Sequence, residues 1–564
     1  MSEGFYLAPG GADDPAAELT ATLAALGTPL GDDPDAHARC RFPARAFWLH
    51  RQGVLPGYAD EPRCARFERW ALPAQLRGLN LLLVSGYYGN PASTFGHALL
   101  KLDMGTGGGG LLDLAFNFGA LVPPGENMLV YVWRGLTGGY QAGFSDKYFY
   151  TQDAVYTRSE FRDIWAYDLG LDEGQRRLLV GHLWELLGQK FTYYFLEENC
   201  AYRIAELIEL ATGQPFVEGV HAWYSPVELL HRVRALDAGP VPGLVARVRY
   251  LPSAQRSLFF AFEALSPAEA AAANAAIEDG LADLPARLAP FPPERRVELV
   301  DALLAWVEYR VTAEQPAPAP ALQEARVRLL GERLRLPPAD GPPRQPPHRP
   351  SPAEQPAPMQ ASLAAGVDGA GRGVAVLRWS PYSADLLGRD PSDHDEMVLL
   401  STAAGLDERG RPFLDGVDVI RVRRLATARA TIAGETQRSW LVQAGLRRAL
   451  EADGRARTEG FLRAGLGRAS LLSPGVVAYG MVDGDLSTGP AVLSLEPSLG
   501  LVAGAGAWKG WLRAGVAFSV RAQTLEPRAA LDIRLALSQH RSLRLGAELR
   551  GAVAEARLAV LQAW

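Results

Sequence analysis

Residues 512–521 read LRAGVAFSVR, residues 531–537 read LDIRLAL, and residues 543–553 read LRLGAELRGAV. In each, apolar residues take every second position: Leu512, Ala514, Val516 and Phe518; Leu531, Ile533, Leu535 and Leu537; Leu543, Leu545, Ala547 and Leu549. Between them stand Arg513, Asp532, Arg534, Arg544, Glu548 and Arg550. A period of two marks a strand with unlike faces, because successive side chains point to opposite sides of the pleat. Weaker versions run over 361–367, 374–379, 397–404, 417–424, 440–447, 461–467, 476–482 and 492–502, separated by turn residues. The pattern predicts an all-β antiparallel barrel of about 12 strands over residues 359–564. One face is apolar and the other carries small residues and both charge signs, which fits a lipid-facing exterior and a polar, side-chain-filled interior. A soluble antiparallel barrel or sandwich also alternates, so the pattern leaves both open.

The rest of the chain has no such period. Alternating Leu558 and Val560 lead to a terminal aromatic, Trp564, which resembles the last strand of bacterial outer-membrane barrels. The 564 residues are 48% hydrophobic and 21% charged, a globular balance that excludes disorder over most of the chain. Lys+Arg 57 against Asp+Glu 63 leaves −6, so a nucleic-acid partner is not expected. No apolar run is long enough for a transmembrane helix. The first residues, MSEGFYLAPGGADDPAAELT, have neither a basic start nor an apolar core, so no signal peptide is visible. Later features argue for export, with the signal expected upstream of this start.

Composition divides the chain into five parts. Residues 1–75 read as an N-terminal helical domain, with Asp14-Pro15 opening AAELTATLAAL and Gly27 closing it. Residues 76–250 are mixed: LNLLLV, FGHALLKLD and LLDLAFNF read as strands, and helices cover about 172–189 and the stretch from 199 to Gly213. Residues 251–335 read as helices broken by proline. Residues 336–358, LPPADGPPRQPPHRPSPAEQPAP, read as a semi-rigid linker, since proline removes amide donors and fixes an extended backbone. The barrel follows.

Three cysteines are present, at 40, 64 and 200, with no C-x2-C pair to suggest structural zinc. Cys40 and Cys64 stand in similar settings, CRFPARAFWLH and CARFERW. In an oxidising compartment they would close a loop of about 25 residues, worth roughly 3 kcal/mol in the chain-entropy account. In the cytosol they would remain two buried thiols. Cys200 is left over.

Cys200 stands in LEENCAYRIAEL. Asn199 is a natural N-cap, which puts Cys200 in a first helical turn. Free amides and the macrodipole there favour a thiolate and predict a lowered cysteine pKa. His97, in STFGHALLKL, sits on a strand and would supply the base. A third polar group usually orients such an imidazole. Alternation in LLDLAFNFGA puts Asp113 and Asn117 on one face, and Asn117 is preferred. Taken singly, a cysteine at a helix start is more often a small buried hydrophobe, and a histidine more often a satisfied core residue.

FGHALLKLD and FLEENCAYRI resemble the His and Asn-Cys motifs of circularly permuted papain-like (NlpC-type) cysteine enzymes, in which the His strand precedes the Cys helix. Residues from about 35 to 250 resemble the bacterial family containing the periplasmic domain of Lnb, a lipoprotein N-acylation transferase. The segments that carry the likeness are CRFPARAFWL, STFGHALLKL, AFNFGA, Tyr156 through SEFRDIWAYDL, and YYFLEENCAYRI. The resemblance implies a multidomain α+β fold, permuted papain-like, before the barrel. It implies a thiol-dependent acyltransferase or hydrolase with Cys200 as nucleophile, His97 as base and no cofactor or metal. Amides at the start of the Cys200 helix would form part of an oxyanion hole. Lnb-type transferases continue into transmembrane helices, where this chain continues into a barrel.

The location implied is the bacterial outer membrane with periplasmic N-terminal domains. The partners implied are outer-membrane lipid and lipoproteins, phospholipid acyl donors or cell-wall peptides. Asn199, Asp113, Tyr194 and Glu198 are candidate substrate or supporting residues. Tyr193 and Glu197 flank them, although acidic residues before a helix also serve its dipole. Glu160, Arg162 and Asp163 read as a structural ion pair, His182 as a core histidine, and Lys147 as a surface lysine or substrate contact. GTGGGG at 105–110 lacks GK[ST] and reads as a turn. The alternative function is a non-catalytic outer-membrane barrel protein that uses the papain-like domain for binding or assembly.

Overall fold

The computed structural model describes residues 4–55, 63–86, 94–105, 110–217, 223–314, 319–338, 346–388, 394–427, 430–435, 437–450, 456–489 and 492–564. The chain falls into two compact units, Met1–Ser257 with Thr312–Gln315, and Leu258–Val311 with Pro316–Trp564.

In the first unit, the helix Pro15–Leu26 starts where Asp14 accepts from the amides of Ala16 and Ala17, and it ends at Gly27. Proline at the first helical position lacks only a donor that would be unpaired anyway. Cys40 and Cys64 form a disulfide with a Cα–Cα distance of 5.2 Å. This N-terminal part is tied to the helix Glu173–Leu186 by a buried carboxylate. Glu185 Oε1 accepts from the amides of Ala44 (2.8 Å) and Arg45 (3.0 Å), which are free donors at the start of the helix Pro43–Arg51. His182 Nδ1 lies 2.9 Å from the other oxygen of Glu185, so His182 is a structural partner.

The sheet of this unit has seven strands: β1 (Gly78–Val84), β2 (His97–Asp103), β3 (Leu114–Ala120), β4 (Tyr140–Tyr148), β5 (Ile164–Leu169), β6 (Phe191–Tyr193) and β7 (Val245–Leu251). Their order is β6-β4-β3-β2-β1-β5-β7, and each neighbouring pair in it is antiparallel. β1 and β2 are buried along almost their whole length, which is why both read as continuous apolar runs. The Gly-rich turn expected between β2 and β3 falls largely on residues 106–109, outside the described residues.

In the second unit, helices Pro267–Glu278, Leu284–Leu288, Pro293–Ala313 and Pro320–Arg335 precede the barrel. Successive hairpins run from strand Asp395–Asp407 to strand Val553–Ala563. That last strand pairs with Gln360–Val367, which pairs with Gly373–Ser380, which returns to Asp395–Asp407. The ring therefore closes with twelve strands, and a short thirteenth, Tyr382–Ala384, lies on Asp395–Asp407.

The barrel is inside out relative to a soluble one. Leu499 is 73% exposed and Leu525 71%, and Leu363, Leu466 and Leu558 also face outward. Asp483, Asp485 and Glu496 are at most 2% exposed. Arg463 meets Asp483 at 2.7 Å, Arg447 meets Asp485 at 2.6 Å, and Arg557 meets Asp415 at 2.6 Å. A water-soluble fold would bury the leucines and expose the arginines, whereas a lipid-facing barrel does the reverse. Three exposed tryptophans, Trp379, Trp508 and Trp564, stand near the strand ends on the side where the chain enters at Gln360 and leaves at Ala563.

One expectation needs correction. The end of the Pro-rich segment 336–358 is packed rather than a free spacer. Ser351 and Ala353 are fully buried, and Pro352–Glu354 forms a turn closed by a reciprocal Ser351–Glu354 capping box. Gln539 Nε2 donates to the carbonyls of Ala353 and Gln355, each at 3.0 Å. Proline removes donors but leaves carbonyls, and a barrel loop uses them.

Leu499 lies at mid-strand in Leu493–Ala505. Leu499→Arg should destabilise the barrel in a bilayer by about 2–4 kcal/mol. Urea unfolding in phospholipid vesicles would measure this. Unchanged stability would mean that the position does not face lipid.

Candidate active site

His97 is the first residue of β2, opposite Val84 of β1. The preceding Gly96 has φ +93°, and a Cβ there would lie 2.9 Å from the Val84 carbonyl, so only glycine brings the chain into the strand at this point. β3 pairs with β2 through Leu100–Phe116 and Lys101–Ala115. Extending that register puts Asn117 opposite Leu99, on the His97 face and one side-chain step along. Asn117 Oδ1 lies 2.6 Å from His97 Nε2. With that oxygen as acceptor, Nε2 carries the ring proton and Nδ1 keeps its lone pair.

Asn199 caps the helix Cys200–Thr212. Its Oδ1 accepts from Ala201 N (3.0 Å) and Tyr202 N (3.3 Å). Its Nδ2 donates to the carbonyls of Phe195 (3.1 Å) and Tyr224 (2.7 Å). Asn199 is thereby fully used in holding the loop before Cys200. The helix packs across β2 and β3, and Cys200 at its start is buried. The backbone amides of Ala98, Ala201 and Cys200 act on the sulfur. Ala98 follows His97 in the chain, so the sulfur lies beside the start of β2.

The expectation of a lowered thiol pKa is corrected here. Burial pushes the Cys200 thiol up to about 11, outweighing the amides of Ala98 and Ala201 and the charge of Arg162, which pull it down. Burial and the positive charge of Arg162 push His97 down to about 4, against the Asn117 bond, which pulls it up. A helix start lowers a thiol pKa only while water or charge can reach the sulfur. The resting pair is therefore a neutral thiol beside a neutral imidazole.

The other candidates separate. Asp113 forms a buried ion pair with Lys101 at 2.7 Å and lies before β3 begins, away from the imidazole. Glu198 pairs with Arg203, which also meets Glu206 at 2.9 Å. Tyr194, Glu198 and Arg203, with Phe191 and Thr192, line an open cleft of about 270 Å³ beside the loop before Cys200. Glu160, Arg162 and Asp163 form two ion pairs rather than one: Arg162–Glu160 at 2.8 Å and Asp163–Arg256 at 2.9 Å.

Residues with no role in the sequence reading also surround the site. The Tyr156 ring lies 5.7 Å from that of His97, and the Arg162 guanidinium lies 5.2 Å from the Tyr156 ring. Tyr156 and Tyr193 are both raised chiefly by burial, and a thiolate at Cys200 would raise them further. The helix Met128–Leu136 presents Met128, Val130, Trp133 and Leu136 to solvent, beside exposed Leu121 and Val122. Its inner side holds the loop before Cys200: Phe195 N donates to Gly135 O at 2.8 Å, and Tyr131 packs 5.0 Å from the Phe195 ring. Spacing alone carries no signal for Arg162 or Tyr156, because they come in from the turn and loop before β5. Among the described residues, no cluster of His, Cys, Asp and Glu is arranged to hold a metal.

Residues 66–234 match the family described as the Lnb N-terminal periplasmic domain. Residues 1–52 and 349–561 match two families described only as domains of unknown function, DUF7843 and DUF7840. No curated protein matches the chain. Similar solved structures include the KdgM porin, 5% identical over 36% of this chain and 99% of that one, with a TM-score of 0.24. The anion-selective porin from Comamonas acidovorans is 9% identical over 36% and 97%, with a TM-score of 0.18. The β domain of the Bordetella autotransporter BrkA is 11% identical over 37% and 100%, with a TM-score of 0.20. These scores add nothing to the barrel that strand pairing already defines. The barrel, apolar outside, and the match to a periplasmic domain point to the outer membrane with a periplasmic N-terminal region.

His97 should titrate near pH 4 rather than 6.5. Its folded value is depressed, so its contribution to stability is complete above pH 6.5 and is lost as the pH falls toward 4. Imidazole NMR resonances, assigned by comparison with His97→Gln, would show the midpoint. Asn117→Ala should lower it further, because the lost bond is one that raises it. A midpoint at or above 6.5 would contradict the buried neutral pair.

Proposed function

We propose that the N-terminal unit is a cysteine acyl-transfer enzyme of permuted papain-like type, held at the outer membrane by its barrel. The observation that carries this reading is the 2.6 Å contact of His97 Nε2 with Asn117 Oδ1, next to a sulfur that lies under the amide of Ala98. It leaves a neutral imidazole with one free lone pair beside a thiol, which is the arrangement a general base needs.

In this reading the thiol proton moves to His97 Nδ1 as the sulfur attacks an acyl carbonyl. A C–S bond forms and the carbonyl π pair moves onto oxygen. When that pair returns, the bond to the leaving group breaks, and the imidazolium protonates the departing oxygen or nitrogen. An amine or water then attacks the thioester, His97 takes its proton, and the thiol is released. A neutral resting pair suits this concerted route, since the charge develops only with substrate in place.

The exposed apolar helix Met128–Leu136, packed against the nucleophile loop, favours acyl chains over cell-wall peptides as the material handled. The proposed donors are phospholipids of the membrane in which the barrel sits, and the proposed acceptors are lipoprotein amines or water. The second reading is a non-catalytic barrel protein with a papain-like domain for binding or assembly. The observation on its side is the thoroughly buried, protonated Cys200.

The two readings part on activity. The full chain is reconstituted in vesicles of labelled phospholipid containing a diacylated lipopeptide, and acyl release and transfer are followed. Cys200→Ala and His97→Ala should each reduce the rate by about 10²–10⁴. Turnover retained in Cys200→Ala would sink the acyl-enzyme reading.

A further inference from the structure

We propose that Arg162 is a catalytic residue of this site, whose free guanidinium Nη2 receives the acyl carbonyl oxygen as it becomes an oxyanion. The inference rests on the acyl-transfer reading above and adds to it the group that takes up the negative charge.

Arg162 is 2% exposed, the largest fully buried side chain among the described residues. Two of its three nitrogens are used. Nε donates to the Ser85 carbonyl at 2.6 Å, and Nη1 meets Glu160 at 2.8 Å. Nη2 is buried and has no hydrogen-bond partner among the described residues. A buried charged donor left unpaired is costly, and in native proteins it calls for an explanation. A waiting acceptor that arrives with the substrate is such an explanation.

The fold places this group near His97 and Tyr156. Ser85, which anchors Nε, follows Val84, the register partner of His97. The Tyr156 ring faces both groups, 5.2 Å from the guanidinium and 5.7 Å from the imidazole. The backbone bends to place it. Ala154–Ser159 is a π-helical turn, and Phe161, just before Arg162, sits at φ +54°. Non-glycine residues in the left-handed region and π-turns both concentrate at functional sites. The charge of Arg162 acts on both members of the pair, favouring a thiolate at Cys200 and opposing an imidazolium at His97. Glu160 neutralises only one edge of the guanidinium, and the other edge keeps its donor.

A purely structural strut needs Nε and Nη1 alone. An oxyanion donor needs the third nitrogen and the charge. In the chemistry, the π pair of the acyl carbonyl moves onto the oxygen facing Nη2 when the C–S bond forms. It returns when the leaving group departs with the proton from His97. No other reactant is required.

The test uses the full chain in detergent, with p-nitrophenyl butyrate as acyl probe and iodoacetamide as a probe that forms no oxyanion. Arg162→Met and Arg162→Gln should each slow acylation of Cys200 by about 10²–10³, with KM little changed. Arg162→Gln retains a donor for the Ser85 carbonyl, so it serves if Arg162→Met does not fold. Both should also move the pH midpoint of iodoacetamide alkylation upward, and Arg162→Lys should recover part of each effect by restoring the charge. Acylation at the parent rate in Arg162→Gln, with His97→Ala still impaired, would overturn the role of Arg162 and leave the acyl-transfer reading intact. A parent Cys200 that no ester acylates would overturn both.

Discussion

The bond between His97 and Asn117 decides what the rest of the site is able to do. It crosses two adjacent strands of a buried sheet, so its geometry is set by β-pairing rather than by a flexible loop. It consumes one ring nitrogen and leaves the lone pair of the other free of that bond. The helix Cys200–Thr212 starts with its sulfur under the amide of Ala98, the residue after His97. Asn199 secures that start with four hydrogen bonds: two cap the helix and two hold the preceding loop. Removing water from this junction has two linked consequences. It keeps the thiol protonated and the imidazole neutral, and it makes each fixed dipole and the Arg162 charge act more strongly than in solvent.

A second constraint governs the barrel. A closed ring removes every strand edge, and that permits an apolar outer face without an aggregating edge. Charges excluded from the lipid side must then be paired inside. Arg463 and Arg513 both reach Asp483, and Arg463 and Arg528 both reach Glu496. Such a lumen is filled with shared ion pairs. That suits an anchor for the preceding unit, to which it is joined by the chain itself.

The sequence was unequally legible. Period-two alternation located all twelve ring strands, because lipid outside and charge inside impose opposite demands on neighbouring residues. The caps at Asp14 and Asn199 and the disulfide between Cys40 and Cys64 were readable from local chemistry. Alternation put Asn117 and Asp113 on one face of β3, and the register with β2 separates them in the structure. The thiol pKa was misjudged because local sequence reports the helix start and not the depth of burial. Arg162 was read as a member of a structural ion pair with no chemistry of its own. Its burial depends on a π-turn and on Phe161 at positive φ, which have no periodic signature. The packed end of the Pro-rich segment was hidden for a similar reason, because its partner Gln539 lies far along the chain.

The most direct test of the account is intact and peptide mass spectrometry of the full chain after incubation in phospholipid vesicles without an acceptor. The account predicts one fatty-acyl group on the Cys200 peptide, labile to hydroxylamine as a thioester should be, and absent in His97→Ala. An unmodified Cys200 under conditions where acyl chains are released, or an acyl group carried elsewhere, would contradict it.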